Sequence, residues 1–286
     1  MKNQNLNKFN IYEHLKELRA HSLSTPYFLA NQDTYKQASI NFPFRTFAYG
    51  IGITYSGKRR PFQIGSMKYY TDTGSLVTIG PGIVCQWKGE YQAVHDTIYF
   101  TEELFKDGLK PSFLKEMSCF NAGGNHVINI SNQNVENFKV LFQSLKDLSD
   151  NDDLVPGIIY SILMLVKRCH RIDDSQFRNT SQKEKLTSDF KKLIPVYFQE
   201  NKEVAFYADK LNISPKYLSE VLLSETGNTA KSLILQHIFL EAKSLLRQTS
   251  MTVQEICFWL GYDDTSYFTK AFKKHEGMTP LSYRKL

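Results

Sequence analysis

The sequence has little that metal, nucleotide or covalent chemistry needs. Its four cysteines, Cys85, Cys119, Cys169 and Cys257, form no C-x-x-C pair, which excludes the usual spacing of a zinc finger or ribbon. We expect four reduced and mostly buried thiols, with a redox sensor as the alternative. No phosphate-binding loop, dinucleotide fingerprint or G-x-S-x-G nucleophile motif occurs, so the common motifs of nucleotide-dependent enzymes and serine hydrolases are absent.

Histidine clusters and long apolar runs are also missing. His95 stands beside Asp96, His126 lies far beyond, and no histidine pair occurs at i, i+2 in the strand-rich part. The sequence lacks the histidine ligands that a metal-dependent barrel enzyme needs. We therefore predict no metal, no cofactor and no catalytic residue. No apolar stretch approaches the roughly 18 residues of a membrane span, and the polar start lacks a signal-peptide core. We therefore expect a cytoplasmic protein with no membrane partner.

The first part of the chain has the texture of an antiparallel β structure. Residues 46–55 alternate strictly, with Phe47, Tyr49, Ile51, Ile53 and Tyr55 on one face. Further short runs lie between Gly- and Pro-containing turns, at residues 60–64, 67–71, 76–79, 83–87 and 91–100. Short, closely spaced strands of this kind indicate a sandwich or barrel. Residues 1–40 precede them and are predicted to form a polar arm.

Helical periodicity replaces the strands further along the chain. Residues 135–148 and 155–169 each carry an apolar stripe at helical spacing, so two adjacent amphipathic helices are expected. They could cover the sheet or pair with a second chain. Residues 173–185 have almost no apolar content and are predicted to be a linker. The domains are then residues 1–172, the linker 173–185, and residues 186–286, each domain being large enough to bury its own core.

The last hundred residues contain one pattern twice. Adding 49 to Ala208, Leu211 and Ile213 gives Cys257, Leu260 and Tyr262, and adding 50 to Tyr217, Leu218, Leu222 and Gly227 gives Tyr267, Phe268, Phe272 and Gly277. Each copy predicts a helix-turn-helix motif, whose second helix suits a DNA major groove. Ser214 with Pro215, and Asp263 or Asp264, are expected to open the second helices, and Gly227 and Gly277 to end them.

A continuous helix is predicted between the two copies. Residues 230–248 carry an apolar stripe with no Gly or Pro, and 19 residues make a helix of roughly 28 Å. One turn of B-DNA is about 34 Å. A stiff connection of this length would set the two recognition helices near successive major grooves.

This arrangement resembles the DNA-binding domain of the AraC/XylS family of bacterial transcription regulators, over about residues 185–286. The matching residues are Ala208, Leu211, Ile213, Ser214, Tyr217, Leu218 and Gly227 in the first copy, and Ile256, Leu260, Gly261, Tyr262, Asp264, Ser266, Tyr267, Phe268, Phe272, Lys273, Gly277, Thr279, Pro280, Tyr283 and Arg284 in the second. The sequence departs from the family pattern at Cys257, Tyr262 and Glu220. The last puts a carboxylate where a phosphate or guanine contact is common, which would favour cytosine instead.

The resemblance implies an α+β fold, with a cupin-like antiparallel β-barrel as sensor, helices that dimerise, and an all-α domain with two helix-turn-helix motifs. It implies double-stranded DNA as partner, a homodimer, RNA polymerase as a partner if the protein is an activator, and control by a small molecule. The predicted DNA contacts are Ser214, Lys216, Ser219, Thr265, Ser266, Thr269 and Lys270, with Lys273 and Arg284 on the DNA backbone. Tyr69, Trp87 and His95 are the candidates for an effector pocket.

Two other functions remain open from the residues alone. One is a cupin-like enzyme or binding protein whose C-terminal helices make protein contacts. It would carry a metal or turn over a substrate, and it would show no sequence-selective DNA binding. The other is a regulator without a small-molecule effector, controlled by a partner protein or by abundance, for which the barrel would be fully packed.

Overall fold

Short antiparallel strands form the first part of the molecule, as their alternating sequence predicts. The computed structural model of the chain describes residues 26–34, 42–45, 48–65, 67–87, 93–105, 112–149, 153–176 and 181–286. Most of the predicted arm, residues 1–25 and 35–40, lies outside these ranges. The strands are β1 (Tyr27–Asn31), β2 (Phe44–Arg45), β3 (Tyr49–Ser56), β4 (Arg60–Ile64), β5 (Met67–Thr71), β6 (Ser75–Ile79), β7 (Val84–Trp87), β8 (Val94–Phe100) and β9 (Val127–Asn129).

The described strands form two open sheets. One has the order β1-β8-β3-β6-β9 and the other β2-β7-β4-β5, and every pair is antiparallel. The predicted antiparallel architecture is confirmed, but the barrel is not closed, because no described strand pairs across the two sheets. Strands β4 and β5 have their predicted bounds, whereas β1, β2 and β9 were not expected. Residues 46–47 and 91–92 of two predicted strands lie outside the described residues.

Strand β3 shows how alternation sorts side chains in this fold. Tyr49, Ile51 and Ile53 are buried in one cluster with the helices that follow the strands. Gly50 and Gly52 face the opposite way, toward a cavity between the two sheets. Because successive residues of a strand point to opposite faces, the five-stranded sheet is packed on both sides, with helices on one side and the second sheet on the other.

Two long helices cover the outer face of the five-stranded sheet. After α1 (Ser112–Glu116), flanked by 3-10 turns at Glu102–Phe105 and Ser118–Phe120, come α2 (Asn132–Asp147) and α3 (Val155–Gln176). Phe138, Phe142, Ile162 and Leu163 are fully buried against the sheet. Each such side chain contributes about 1.5–3 kcal/mol on burial. The predicted apolar stripes are therefore used within the chain. We call the strands with α1 to α3 the sheet domain.

The predicted linker is largely helical at both ends. Helix α3 continues to Gln176, and α4 (Gln182–Tyr197) begins with a capping box, in which Ser181 Oγ accepts from the Glu184 backbone N–H at 3.1 Å and Glu184 accepts from the Ser181 N–H at 2.9 Å. Polar composition and helical structure are compatible here because the first turn of α4 is exposed.

Helices alone make up the rest of the described chain. After α4 come α5 (Val204–Lys210), α6 (Pro215–Thr226), α7 (Ala230–Gln248), α8 (Val253–Trp259), α9 (Thr265–Glu276) and α10 (Pro280–Arg284). Helices α4 to α10, the helical domain, share one core in which Phe190, Ile194, Leu245 and Phe272 are almost completely buried. Among the described residues, none of the helices has the length and apolar character that a membrane span requires.

Candidate DNA-binding surface and cavities

The first helix-turn-helix motif, α5 and α6, is held by a tight turn. Asn212 adopts the left-handed conformation (φ 55°), and the Ile213 N–H donates to the Ala208 carbonyl at 3.1 Å. Ser214 then opens α6, its side-chain oxygen accepting from the Tyr217 N–H at 3.2 Å, with Pro215 as the first helical residue. An N-cap of this kind satisfies a backbone donor that the helix leaves free. Helix α6 therefore begins where the sequence predicts, directly after its cap residue Ser214.

The second motif, α8 and α9, repeats this turn 49 residues later. Gly261 takes the left-handed position of Asn212 (φ 73°), and the Tyr262 N–H donates to the Cys257 carbonyl at 3.0 Å. Glycine is required at position 261 for a second reason, because the Cβ atom of any other residue would lie 1.8 Å from the Gln199 carbonyl oxygen. Asp264 opens α9 by accepting from the Ser266 and Tyr267 N–H groups, at 2.6 and 3.1 Å.

Helix α7 joins the two motifs without a break over its 19 residues, Ala230–Gln248. Thr229 caps its start, accepting from the Ser232 N–H at 3.2 Å. The helix is buried along most of its length, and it packs against α4, α6, α8 and α10. Both motifs are therefore attached to one rigid element of roughly 28 Å.

Most of the predicted DNA-contact side chains are accessible. Ser214, Lys216, Ser266, Lys270 and Lys273 are exposed, whereas Ser219, Thr265, Thr269 and Arg284 are half-buried. Together with the exposed Lys274, the lysines of α9 form a basic cluster near its C-terminal end, where cations also suit the helix dipole. The two motifs thus present polar and basic side chains on α6 and α9.

Three of the predicted contact residues already have partners within the chain. The Ser214 oxygen caps α6, and the Ser219 hydroxyl donates to the Pro215 carbonyl at 2.8 Å. Arg284 donates through Nε to the Leu246 carbonyl at 3.1 Å and through a terminal nitrogen to the Met251 carbonyl. Arg284 therefore ties α10 to the end of α7, and its predicted contact with the DNA backbone would have to use its remaining donors.

An exposed tyrosine stands at the same place in each recognition helix and was not among the predicted contacts. The side chain of Tyr217 is 40% exposed and that of Tyr267 is 62% exposed. Their offset of 50 residues matches the repeat, and an aromatic residue exposed twice at one repeat position could have marked them as surface residues. Single exposed apolar residues are common on protein surfaces, so the recurrence at one repeat position is what distinguishes these two tyrosines.

The predicted effector pocket is only partly assembled. Trp87 and His95 line the cavity between the two sheets, with Thr97 and Tyr99 of β8 beside His95. Trp87 stacks between Phe44 and Phe62, with ring centroids 4.7 and 5.1 Å apart. The cavity holds about 50 Å³, which is far below the roughly 300–1,000 Å³ of typical ligand pockets.

Tyr69 does not join this cavity. Its hydroxyl donates to the Gly124 carbonyl at 3.1 Å, and its ring meets the edge of the His126 ring at 6.1 Å. Burial raises the pKa of Tyr69 to about 12. Tyr69 of the edge strand β5 therefore reaches the loop after the second 3-10 turn, whereas Thr71 of the same strand lines the cavity.

The buried histidines and cysteines of the described chain offer no metal site. No group of three or more His, Cys, Asp or Glu side chains in the described ranges is placed to hold a metal ion. Burial lowers the pKa of His95 and of His126 to about 4, so both are neutral near pH 7. All four cysteines are buried, and none of them is in a disulfide, as expected, and burial raises the pKa of the Cys169 thiol to about 11.

Comparison with known proteins agrees with the geometry of the helical domain. A family described as a helix-turn-helix domain matches residues 207–286. The chain is 29% identical over 137 residues to the Msm operon regulatory protein of Streptococcus mutans, covering 48% of this chain and 49% of that protein. It is 30% identical over 139 residues to the raffinose operon transcriptional regulatory protein RafR of Pediococcus pentosaceus, covering 47% and 48%.

One solved structure with similarity is the C-terminal domain of AraT, a response regulator from Geobacillus stearothermophilus, with 32% identity, 37% of this chain and 88% of that chain covered, and a TM-score of 0.35. The chain spans about half the length of the two operon regulators that it matches. The family match and these regulators agree with the repeated turns described above. Residues 207–286 of this chain therefore match a helix-turn-helix domain, and the similarity to transcription regulators of operons covers about half of the chain.

Proposed function

We propose that the chain is a sequence-specific DNA-binding transcription regulator that reads two successive major grooves with α6 and α9. One observation carries this proposal: the turn before each recognition helix repeats, hydrogen bond for hydrogen bond, around a single continuous helix. The Ile213 to Ala208 bond and the Tyr262 to Cys257 bond mark the two turns. Two groove-reading helices fixed to one rigid element suit two half-sites on one face of the duplex.

The proposed contacts divide between bases and phosphates. Lys270, Thr269 and Ser266 of α9 would reach base edges or phosphates in one half-site, together with Thr265. Lys273 and Arg284 would bind the DNA backbone, which fixes position without reading sequence. In the other half-site Ser214, Lys216 and Ser219 would make the contacts, and the exposed Glu220 would accept a hydrogen bond from a cytosine amino group.

Selection of bound fragments from random DNA tests this function. We expect enrichment of two half-sites with centres about 10 base pairs apart, because α7 fixes the separation of the recognition helices. Inserting five base pairs between the selected half-sites should abolish most of the affinity, since half a helical turn moves one site to the opposite face. Base-pair substitutions outside the two half-sites, which keep their spacing, are the matched control. Failure to enrich any sequence would favour a protein whose C-terminal helices make protein contacts.

The sheet domain is proposed as a cupin-like sensor and dimerisation unit, with boundaries at residues 1–172, a connection at 173–185 and the DNA-binding domain at 186–286. The named relatives regulate operons, one of them a raffinose operon. This supports control by a small molecule, and contact with RNA polymerase if the protein activates.

Exposed Val140 on α2 and Ile172 on α3 offer apolar surface for a homodimer. Sedimentation equilibrium tests that state, and a monomer at micromolar concentration would contradict it. No catalytic role is proposed.

A further inference from the structure

A cleft between the sheet domain and the helical domain forms a second cavity that is lined by strand residues. It holds about 520 Å³, compared with about 50 Å³ between the sheets. Its lining includes Arg45 and Ile83 from the sheet domain, and Phe198, His237, Glu241 and Trp259 from the helical domain. The cleft, unlike the cavity between the sheets, falls in the range of roughly 300–1,000 Å³ that is usual for small-molecule sites.

Arg45 of β2 links the two domains at this cleft. Its guanidinium pairs with the Glu241 carboxylate on α7, and both side chains are largely buried. Its backbone N–H donates to Gln248 Oε1 at 3.0 Å, and its guanidinium carbon lies 5.4 Å from the centre of the Trp259 ring. A molecule in the cleft would therefore touch the residues that hold β2 against the central helix of the DNA-binding domain.

Several buried polar atoms of the cleft residues have no hydrogen-bond partner. They are both ring nitrogens of His237 and Nε of Arg45. His237 is only 1% exposed and lines the cleft. Leaving buried donors and acceptors unpaired costs free energy, and each such group calls for an explanation such as a bound molecule.

The unpaired nitrogen atoms of His237 and Arg45 indicate which kind of ligand would bind. Burial, assisted by the Arg45 charge, lowers the pKa of His237 to about 3, so the neutral imidazole offers one donor and one acceptor. Arg45 Nε adds a second donor, while the Arg45 and Glu241 charges offset each other. Hydroxyl groups both donate and accept, and the rings of Phe198 and Trp259 provide apolar faces; the Phe198 and His237 ring centroids are 4.8 Å apart. Among the buried residues of the cleft, a charged ligand would find no unpaired opposite charge. The other charged lining residues lie nearer the surface, where Lys115 is exposed and Glu102 accepts from the Tyr49 hydroxyl.

We propose that the cleft between the two domains binds a neutral, polyhydroxylated small molecule, with His237 and Arg45 as its polar contacts and Trp259 as an aromatic face. Because the ligand would contact both domains, its binding would change the strength with which Arg45 holds α7. That regulatory consequence rests on the proposed DNA-binding function, whereas the binding site itself does not.

The two tryptophans of the chain allow the site of binding to be located. Trp87 lies in the cavity between the sheets and Trp259 in the cleft, so Trp87→Phe leaves a reporter in the cleft and Trp259→Phe leaves one in the cavity. Sorbitol, sucrose and raffinose serve as neutral probes, and decanoate as a charged apolar probe. We expect at least one neutral probe to change the Trp259 fluorescence saturably and to leave the Trp87 fluorescence unchanged.

Calorimetry on the otherwise unaltered chain supplies a measurement that does not depend on the tryptophan variants. We expect His237→Leu to weaken binding at least tenfold and His275→Leu, an exposed histidine on α9, to leave it unchanged. Without ligand, His237→Leu should raise the melting temperature by about 2–4 °C, because it removes two buried unpaired nitrogens. This rise would show that the loss of binding is not a loss of folding.

Three outcomes would overturn the proposal: no binding of any neutral probe, binding of decanoate alone, or binding that Trp87 reports and His237→Leu leaves intact. DNA binding is measured separately, by gel shift on ligand-free protein with the selected operator. Loss of DNA binding with intact probe binding would refute the proposed function and leave the cleft site standing. The reverse result would refute the cleft site alone.

Discussion

The two helix-turn-helix motifs have the same backbone and different side chains. Asn212 and Gly261 occupy the same left-handed position, and Gly227 and Gly277 end the two recognition helices in the left-handed region, at φ 67° and 80°. Few residue types adopt this conformation without strain. The repeat therefore preserves the residues that fix backbone direction, while positions between them differ.

The differences lie in the core and on the surface of the recognition helices. Leu218 and Leu222 of α6 are replaced by Phe268 and Phe272 at the matching positions of α9, all four fully buried. On the surface, Glu220 of α6 stands where α9 has Lys270, and both are exposed. The first recognition helix thus carries aliphatic core residues and an acidic surface residue, and the second carries aromatic core residues and a basic one.

Truncation of the core should give the largest difference between the motifs. We expect Phe272→Ala to lower the free energy of unfolding by about 4 kcal/mol and Leu222→Ala by about 3 kcal/mol, because the larger side chain leaves the larger cavity. Phe272 also loses its edge contacts with Phe239 and Tyr283, at 5.7 and 5.9 Å between centroids. Urea unfolding measures both values, and an equal or reversed order would show that the second core relaxes into the space.

Alanine substitution of the two matched surface residues, Lys270 and Glu220, tests the charge difference. Lys270→Ala should weaken operator binding by about 1–3 kcal/mol if the ammonium group contacts guanine. Glu220→Ala should weaken binding to operators with cytosine at the position that the carboxylate reads. For other operators it should leave affinity unchanged or strengthen it slightly, since it removes a carboxylate from the region of the phosphates. Gel-shift titrations at several salt concentrations measure both.

The salt dependence separates the possible roles of these two residues. If Lys270 binds a phosphate instead, its removal lowers the salt slope by about one and weakens all sequences equally. A loss of affinity in Glu220→Ala that is confined to operators with cytosine at one position would show direct reading by the carboxylate. Unchanged affinity in Lys270→Ala at fixed salt would remove Lys270 from the contacts.

Local patterns in the sequence predicted the elements whose ends are marked by specific residues. Helix α7 has its predicted bounds because no Gly or Pro interrupts it, and Ser214 and Asp264 begin α6 and α9 as their types indicate. Strands β4 and β5 have their predicted bounds between turn residues. In each case neighbours in sequence determine the structure.

Features that depend on distant partners could not be read in this way. Strand β2 has two residues and exists through its pairing with β7, and whether the sheets close depends on such pairings. The Arg45 to Glu241 ion pair joins residues 196 positions apart. Tyr69 was grouped with Trp87 and His95 from the sequence, but its hydroxyl bonds to the Gly124 carbonyl, 55 positions away, outside the cavity. The left-handed turn at Asn212 was not predicted, because this position lacks the glycine that marks the matching turn at Gly261.

The helix starts provide a smaller contrast between the motifs. Asp264 accepts from two backbone N–H groups and carries a negative charge at the positive end of the α9 dipole, whereas Ser214 accepts from one. Substitution of an N-cap by Ala costs about 0.5–2 kcal/mol. We expect Asp264→Ala to lie near the upper end and Ser214→Ala near the lower end of this range in thermal unfolding. Equal costs would indicate that one hydrogen bond is enough to hold either start.

The helix ends should show no contrast, and this is the smallest predicted difference. A Cβ atom at Gly227 or at Gly277 would meet no atom within 4 Å, so an alanine at either position encounters only the strain of the left-handed backbone. That strain is about 1–2 kcal/mol. Gly227→Ala and Gly277→Ala should therefore lower the free energy of unfolding by the same amount within about 0.5 kcal/mol. Urea unfolding of the two variants tests this, and a clearly larger cost at one position would mean that the two recognition helices do not end alike.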